Sequence, residues 1–300
     1  MDNMDNSTMA IKNLSNKIAI CLFLILFALS ITGFETNLLK HLVLLIIKLA
    51  LVITSIKIIF KTLPKIRISN KSLFSNLQLI LLAVAGIYLW IMIVYLLTNL
   101  TNSAGYENFY IDYSNSNKLN SILLFFHVGI LTPILEDYIF RCFIQENFNK
   151  YGKLFSLLVT GILFGLFHGG RFYTTIFAGI IFGIPYMLSG SVLYTNIIHI
   201  AANTGVFEYP LNFIANYIFQ YKDFNINSHH IETIQISFIL FITLFLAFVI
   251  ISKKQIKDYF KLYPIKLEGF FKSIKEFFSA EVMMSLIFLL LMSAISSLIN

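Results

Sequence analysis

Nine apolar runs, each close to the length of a membrane-spanning helix, restrict the fold of this chain more than any other feature. A helix needs about 20 largely apolar residues to cross the hydrocarbon core of a bilayer. Polar residues, glycines or prolines separate the runs, which fall at residues 18–34, 38–60, 77–98, 119–146, 154–168, 172–188, 192–215, 234–252 and 282–299. Because the backbone in lipid must satisfy its hydrogen bonds internally, the pattern predicts an all-α, polytopic transmembrane bundle of eight or nine spanning helices.

The composition agrees with lipid as the main solvent. Hydrophobic residues make up 58% of the chain, charged residues make up 12%, and the mean hydropathy is +0.80. These values exclude the mixed, charged surface that keeps a soluble domain in solution. We therefore expect one integral domain over residues 1–300, crossing the cell membrane several times. Cys21 and Cys142 offer neither a disulfide framework nor the spacing of a metal site.

The distribution of Lys and Arg predicts the orientation, because positive charge is retained on the cytoplasmic side. With a cytoplasmic N-terminus, fifteen Lys and Arg residues fall in inner segments and three in outer segments. The largest inner contribution is segment 253–275, which we interpret as a topology determinant able to lie on anionic headgroups as an amphipathic helix. The first run could instead be a secretory signal, although Ala28 and Ser30 form a poor cleavage site.

Three ionisable residues in the fourth run stand where lipid makes charge costly. Each central Asp, Arg or Lys costs roughly 2.5 to 3.5 kcal/mol on insertion scales, so such residues face the bundle interior and mark function by default. Asp137 and Arg141 are four apart and are predicted to form a structural ion pair. Glu136 lies about 140° from Arg141 around an α-helix, so we expect it to lack that partner and to act as a general base. Pro133 frees the carbonyl of Gly129 and predicts a kink before Glu136.

The fifth run ends with Phe164 and His168 four residues apart, and therefore on one helical face. The fourth and fifth runs form a predicted hairpin with Gly152 at its turn. Counted from that glycine at 1.5 Å per residue, Glu136 and His168 each lie about 24 Å along their helices. A histidine at the same depth as a carboxylate is a candidate for proton transfer.

The seventh run contributes His199 and Asn203, which are also four apart and can direct an imidazole and an amide toward one point. Counted from Gly190, His199 lies only about 13 Å along its helix, well short of the other two candidates. We expect the sixth helix to break near Gly183 and Pro185 and so to close this difference. Irregular backbone at that depth is tolerated where it lines a cavity.

Together these residues resemble the three motifs of the CPBP family of intramembrane proteases, also called Abi. That family includes the type II CAAX prenyl endopeptidases and bacterial proteins linked to bacteriocin processing and self-immunity. Its pattern is EExxxR, then FxxxH, then HxxxN or HxxxD, and residues 136–141, 164–168 and 199–203 carry it in that order. The chain departs from the pattern at Asp137, where a second glutamate is usual, and at Cys142, where a glycine commonly stands. The resemblance covers residues 119–206, the predicted catalytic core formed by helices four to seven.

The resemblance implies a glutamate-dependent endopeptidase that needs no metal or other cofactor. Glu136 with His168 would activate a water for attack on a peptide carbonyl, while His199 and Asn203 would donate hydrogen bonds to the developing oxyanion. Phe164 would pack beneath His168. The implied substrate is a peptide or protein precursor at the membrane, such as a bacteriocin leader, a pheromone or a lipidated terminus.

Other functions remain open from the sequence. A zinc-dependent intramembrane protease would use Glu136, His168 and His199 as ligands, although the chain has no HExxH motif. A non-catalytic bacteriocin self-immunity or scaffold protein would keep the bundle and bind a partner. A transporter would use Lys48, in the middle of the second run, as a pathway charge, but no inverted repeat supports transport. No pattern indicates binding of nucleic acid.

Overall fold

A computed structural model describes residues 2–31, 38–61, 63–66, 68, 72–101, 122–123, 125–168, 172–219, 230–264, 267–279, 282 and 286–287. These residues contain ten helices and no strand. The helices are α1 (Asp2–Ile31), α2 (Leu38–Phe60), α3 (Asn76–Thr101), α4 (residues 125–151), α5 (Lys153–Phe167), α6 (Phe172–Ser189), α7 (Val192–Asn203), α8 (Glu208–Phe219), α9 (His230–Leu262) and α10 (Leu267–Phe277). The all-α prediction is confirmed for the described part of the chain.

Three of these helices are long and apolar enough to cross a membrane, over Asn76–Leu97, Phe172–Ser189 and Ile231–Leu262. Helix α5 is also apolar but has only 15 residues. The number of spans, eight or nine, and the cytoplasmic N-terminus stay predictions. The ninth predicted run lies outside the described residues except for residues 282 and 286–287.

The prediction of one helix over residues 192–215 is wrong. Helix α7 ends at Asn203, a turn occupies residues 204–207, and α8 begins at Glu208. Gly205 permits the turn because its φ of 69° lies in the left-handed region that other residues rarely adopt. With 12 residues, α7 is only about 18 Å long. Asn203 is therefore at the end of a short helix, next to irregular backbone.

The chain divides into two compact units, each assembled from separate stretches of sequence. Unit 1 comprises residues 1–65, 143–176 and 265–300, and unit 2 comprises residues 66–142 and 177–264. The single domain over residues 1–300 stays a prediction. Phe164 and His168 belong to unit 1, and the other predicted site residues belong to unit 2.

Unit 1 has an aromatic cluster drawn from three helices. Phe148 of α4, Phe155 of α5 and Phe277 of α10 are buried and meet edge to face, with ring centroids 5.7 to 6.4 Å apart. Edge-to-face pairs of this kind add to the stabilisation from burial alone. The Ser156 hydroxyl of α5 also donates to the Gln145 carbonyl of α4. Helix α10, which overlaps segment 253–275, thus packs against the rest of unit 1 through Phe277.

Unit 2 is built on α3, which packs against α9. Its core cluster consists of Phe74, Leu79, Tyr194, Phe248 and Tyr259. Two hydrogen bonds join distant segments here: Gln78 Nε2 donates to the Ile251 carbonyl at 3.1 Å, and the Tyr259 hydroxyl donates to the Met187 carbonyl at 3.2 Å. Helix α7 packs against α3 and against the first half of α4. The contact with α4 brings His199 to the carboxylates.

Candidate active site

The carboxylates of α4 stand between two π-helical segments. Phe125–Leu131 and Tyr138–Gln145 have i→i+5 hydrogen bonding, and the α-helical stretch Thr132–Asp137 lies between them. Such turns are rare in proteins and occur frequently at functional sites. They hold more residues per turn than an α-helix, so they change which side chains share a face and shorten the advance per residue. Spacing rules for a regular α-helix therefore do not locate Glu136 correctly.

Asp137 and Arg141 form a fully buried pair. Arg141 Nε lies 3.4 Å from Asp137 Oδ1, and both side chains have 0% exposure. Each charge alone would carry a large desolvation cost in a dry interior, and their mutual attraction offsets part of that cost. The charge of Glu136 also acts on Arg141. The three residues thus form one electrostatic cluster, not a pair beside an isolated carboxylate.

The imidazole of His199 contacts both carboxylates. Its Nε2 lies 3.4 Å from Glu136 Oε2, and its Nδ1 lies 3.4 Å from Asp137 Oδ1. The expectation that Glu136 remains unpaired is therefore wrong, because α7 places the imidazole of His199 against it. The exposed fraction of the Glu136 side chain is 13%, against 0% for Asp137. Of the two carboxylates, Glu136 is the one that a water can reach.

Both ring nitrogens of His199 face a carboxylate oxygen. A neutral imidazole has one nitrogen that donates and one that accepts, whereas a protonated ring donates from both. An imidazole next to a carboxylate is a group through which protons can be transferred in acid–base chemistry.

His199 reaches Glu136 without any break in the sixth helix. Helix α6 is continuous, with Pro185 inside it, so the predicted break near Gly183 and Pro185 is wrong. The eight residues of Tyr138–Gln145 are π-helical, so the rise of an α-helix does not give the depth of Glu136.

Phe182 supports His199, and the sequence does not single it out. Its ring centroid lies 5.3 Å from that of His199, with the ring planes tilted by 46°. Trp90 in turn meets Phe182 edge on, with centroids 5.7 Å apart. An aromatic face also favours a positively charged ring above it. Nothing local distinguishes Phe182 from the other apolar residues of α6, so only the packing reveals this contact.

Asn203 donates its side-chain amide to the backbone of α4, with Nδ2 3.1 Å from the Val128 carbonyl. Val128 lies in the first π-helical segment. In an i→i+5 pattern its carbonyl would accept from the N–H of residue 133, which is a proline and has none. Pro133 thus leaves the carbonyl of Val128 to the side-chain amide of Asn203.

Phe164 and His168 form a contact pair in unit 1. Their ring centroids are 4.4 Å apart, and His168 Nδ1 lies 2.8 Å from the Phe164 carbonyl oxygen. Because a carbonyl only accepts, Nδ1 carries the hydrogen, and Nε2 is the basic nitrogen of the neutral ring. The N–H of His168 donates to the Gly165 carbonyl at 3.0 Å, which closes the end of α5. That His168 lies at the depth of Glu136 stays a prediction.

The part of the chain that the structure describes has no group of three or more His, Cys, Asp and Glu side chains arranged to hold a metal ion. The two nitrogens of His199 lie on different edges of the ring, and each faces a different carboxylate. These three side chains do not converge on one ligand position. Independence from metal stays a prediction.

Residues 118–205 match a family model described as Type II CAAX prenyl endopeptidase Rce1-like. The match spans less than a third of the chain, and all of the predicted site residues lie within it. It confirms the resemblance to the CAAX protease family and supports a peptidase at the level of that family. No curated protein and no solved structure matches the chain.

Proposed function

We propose that this protein is an intramembrane endopeptidase that cleaves a peptide or protein precursor with a water activated by Glu136. The contact between Glu136 Oε2 and His199 Nε2, at 3.4 Å, carries the proposal. It joins a partly exposed carboxylate to a buried proton carrier, within a segment that matches a protease family. The fully buried ion pair of Asp137 and Arg141 adds support, because it lies next to Glu136 and belongs to the same cluster of charges.

In the proposed reaction, Glu136 accepts a proton as the water oxygen attacks the scissile carbonyl carbon. The new C–O bond forms while the carbonyl electron pair moves to oxygen. The C–N bond then breaks, and the proton passes from Glu136 to the leaving amine, so that water and a peptide bond become an acid and an amine. His168, basic at Nε2, is the proposed second group that holds the water. His199 and Asn203 are the proposed donors to the oxyanion.

The two adjacent carboxylates have different proposed roles because their surroundings differ. Asp137 is fully buried against Arg141 and His199, so it has no access to water and serves to hold the cluster together. Glu136 shares the histidine but retains exposure. The residue with both a proton-carrying neighbour and access to water is the better general base.

The proposed setting is the cell membrane, with a cytoplasmic N-terminus and eight or nine spanning helices in one domain. The bias of fifteen Lys and Arg residues against three, together with three membrane-capable helices, supports this topology. A buried site in such a bundle suits substrates that are themselves held at the membrane. Bacteriocin leaders, pheromone precursors and lipidated termini are the proposed classes.

Cleavage by purified protein in liposomes tests the proposal. Candidate precursors of each class are incubated with the wild-type protein and with Glu136→Gln, and products are identified by mass spectrometry. Loss of the general base should reduce cleavage by roughly 10² to 10⁴. Glu146→Gln, a matched change on the same helix at a side chain that accepts from Asn149 at 3.0 Å, should cleave normally. Full cleavage by Glu136→Gln would contradict the proposal and favour a binding or immunity role.

A further inference from the structure

We propose that Asn203 is a positioning residue that fixes the shape of α4 next to Glu136 by supplying the hydrogen bond that Pro133 cannot. The inference rests on the proposed function for its effect on cleavage, and it has a separate consequence for stability. Its basis is the 3.1 Å bond from Asn203 Nδ2 to the Val128 carbonyl. A half-buried carbonyl without a donor still costs stability, so this bond secures a turn that the backbone cannot close alone.

At the end of the first π-helical segment, side chains donate hydrogen bonds to two successive backbone carbonyls. The Thr132 hydroxyl donates to the His127 carbonyl at 2.9 Å, and Asn203 donates to the next carbonyl, that of Val128. The α-helical stretch with the two carboxylates begins at Thr132. The residue at which the π-helical turn ends therefore determines how that stretch is rotated about the helix axis. This rotation in turn sets the direction in which Glu136 points.

A close approach between the two helices makes the bond possible. A Cβ on Gly129 would lie 2.9 Å from Thr204 Cγ2, so a larger residue at this point of α4 would force Thr204 to shift. The Thr204 hydroxyl and N–H both donate to the Ile200 carbonyl, at 2.8 and 2.9 Å. These bonds close the end of α7 and hold Asn203 in a fixed position. The short amide side chain can then reach the α4 backbone.

Helix α7 is thus attached to α4 at two points one helical turn apart. His199 holds the carboxylates of Glu136 and Asp137, and Asn203 holds the backbone of Val128. Two attachments resist rotation of one helix against the other, whereas one does not. The amide has two N–H groups, so holding Val128 leaves a second one for an oxyanion.

A double-mutant cycle between Asn203→Ala and Pro133→Ala tests the inference. Alanine at 133 restores an N–H, which can donate to the Val128 carbonyl in the i→i+5 pattern in place of Asn203. In the wild-type background, Asn203→Ala should lower kcat by roughly 10² to 10³, with KM unchanged, because it also removes the proposed oxyanion donor, and it should lower the melting midpoint by about 2 to 4 °C. In the Pro133→Ala background, the loss of kcat should be smaller by roughly tenfold, and the shift in the melting midpoint should shrink by at least half. Asn196→Ala, two turns earlier on α7, should show no such coupling.

Equal losses from Asn203→Ala in both backgrounds would overturn the inference and leave Asn203 as a donor to substrate alone. Coupling in the melting midpoint without coupling in kcat would overturn the positioning role as well, because the bond would then serve only folding. The proposed function fails by a different result, namely normal cleavage by Glu136→Gln. The melting cycle remains informative in that case, since it needs no substrate.

Discussion

His199 Nε2 lies 3.4 Å from Glu136 Oε2, while Nδ1 of the same ring lies 3.4 Å from Asp137 Oδ1. One imidazole thus bridges two carboxylates that are adjacent in the sequence. Asp137 also has Arg141 against it in a fully buried pair. Substitution of Asp137 should therefore lower the stability of the fold, whereas substitution of Glu136 should lower the rate of cleavage.

Asp137→Asn is expected to destabilise the protein strongly. The change removes the anion beside a fully buried guanidinium, and breaking a buried pair on one side typically costs roughly 3 to 5 kcal/mol. Thermal unfolding in detergent measures the effect. Glu136→Gln serves as the control, because its partly exposed amide can still bond to His199, and it should unfold close to the wild-type temperature. Equal midpoints for Asp137→Asn and the wild-type protein would show that the pair does not stabilise the fold.

Gly129→Ala is expected to lower stability by roughly 1 to 3 kcal/mol, the usual cost of overpacking. The new Cβ would lie 2.9 Å from Thr204 Cγ2, and the bonds of Thr204 to Ile200 leave it little room to move. Thr204→Ser removes that methyl group and keeps the hydroxyl, so the double variant should recover most of the loss. If the double variant melts as low as Gly129→Ala alone, the clash lies elsewhere.

Cleavage is expected to continue in strong chelator. The two nitrogens of His199 face separate carboxylates, with no common ligand position, and the proposed reaction uses no metal. Purified protein should contain substoichiometric zinc by elemental analysis, and its rate should not change on dialysis against chelator. Reversible loss of cleavage, restored by zinc, would instead support the zinc-dependent alternative.

Segments 61–71 and 253–275 are expected to face the cytoplasm, because they carry eleven of the fifteen inner Lys and Arg residues. Cysteines placed at Lys65 and Lys257, both exposed, should react with a membrane-impermeant reagent only after the cells are opened. The native Cys21 and Cys142 are buried and provide the unlabelled background. Labelling of either new cysteine in intact cells would reverse the topology.

Regular stretches of the fold were predictable because their signal is local. The second run, 38–60, coincides with α2, and the sixth run ends within one residue of α6. The break after Asn203 was missed because a single Gly205 in an apolar run is weak evidence for a turn. The π-helical segments were missed because their apolar residues equally suit an α-helix.

The sequence by itself determined that the described part of this chain is helical and which residues are the candidates for its chemistry, because apolar length and the cost of buried charge are properties of the residues themselves. It also placed Asp137 and Arg141 within reach of each other, since four residues make one turn. Only the tertiary structure decided that His199 is the partner of Glu136, that Phe182 lies against that histidine, and that Asn203 bonds to Val128. Those contacts depend on where one helix changes its hydrogen-bonding pattern and how closely another approaches it. Both of these features are determined by packing between helices, which no local pattern of residues indicates.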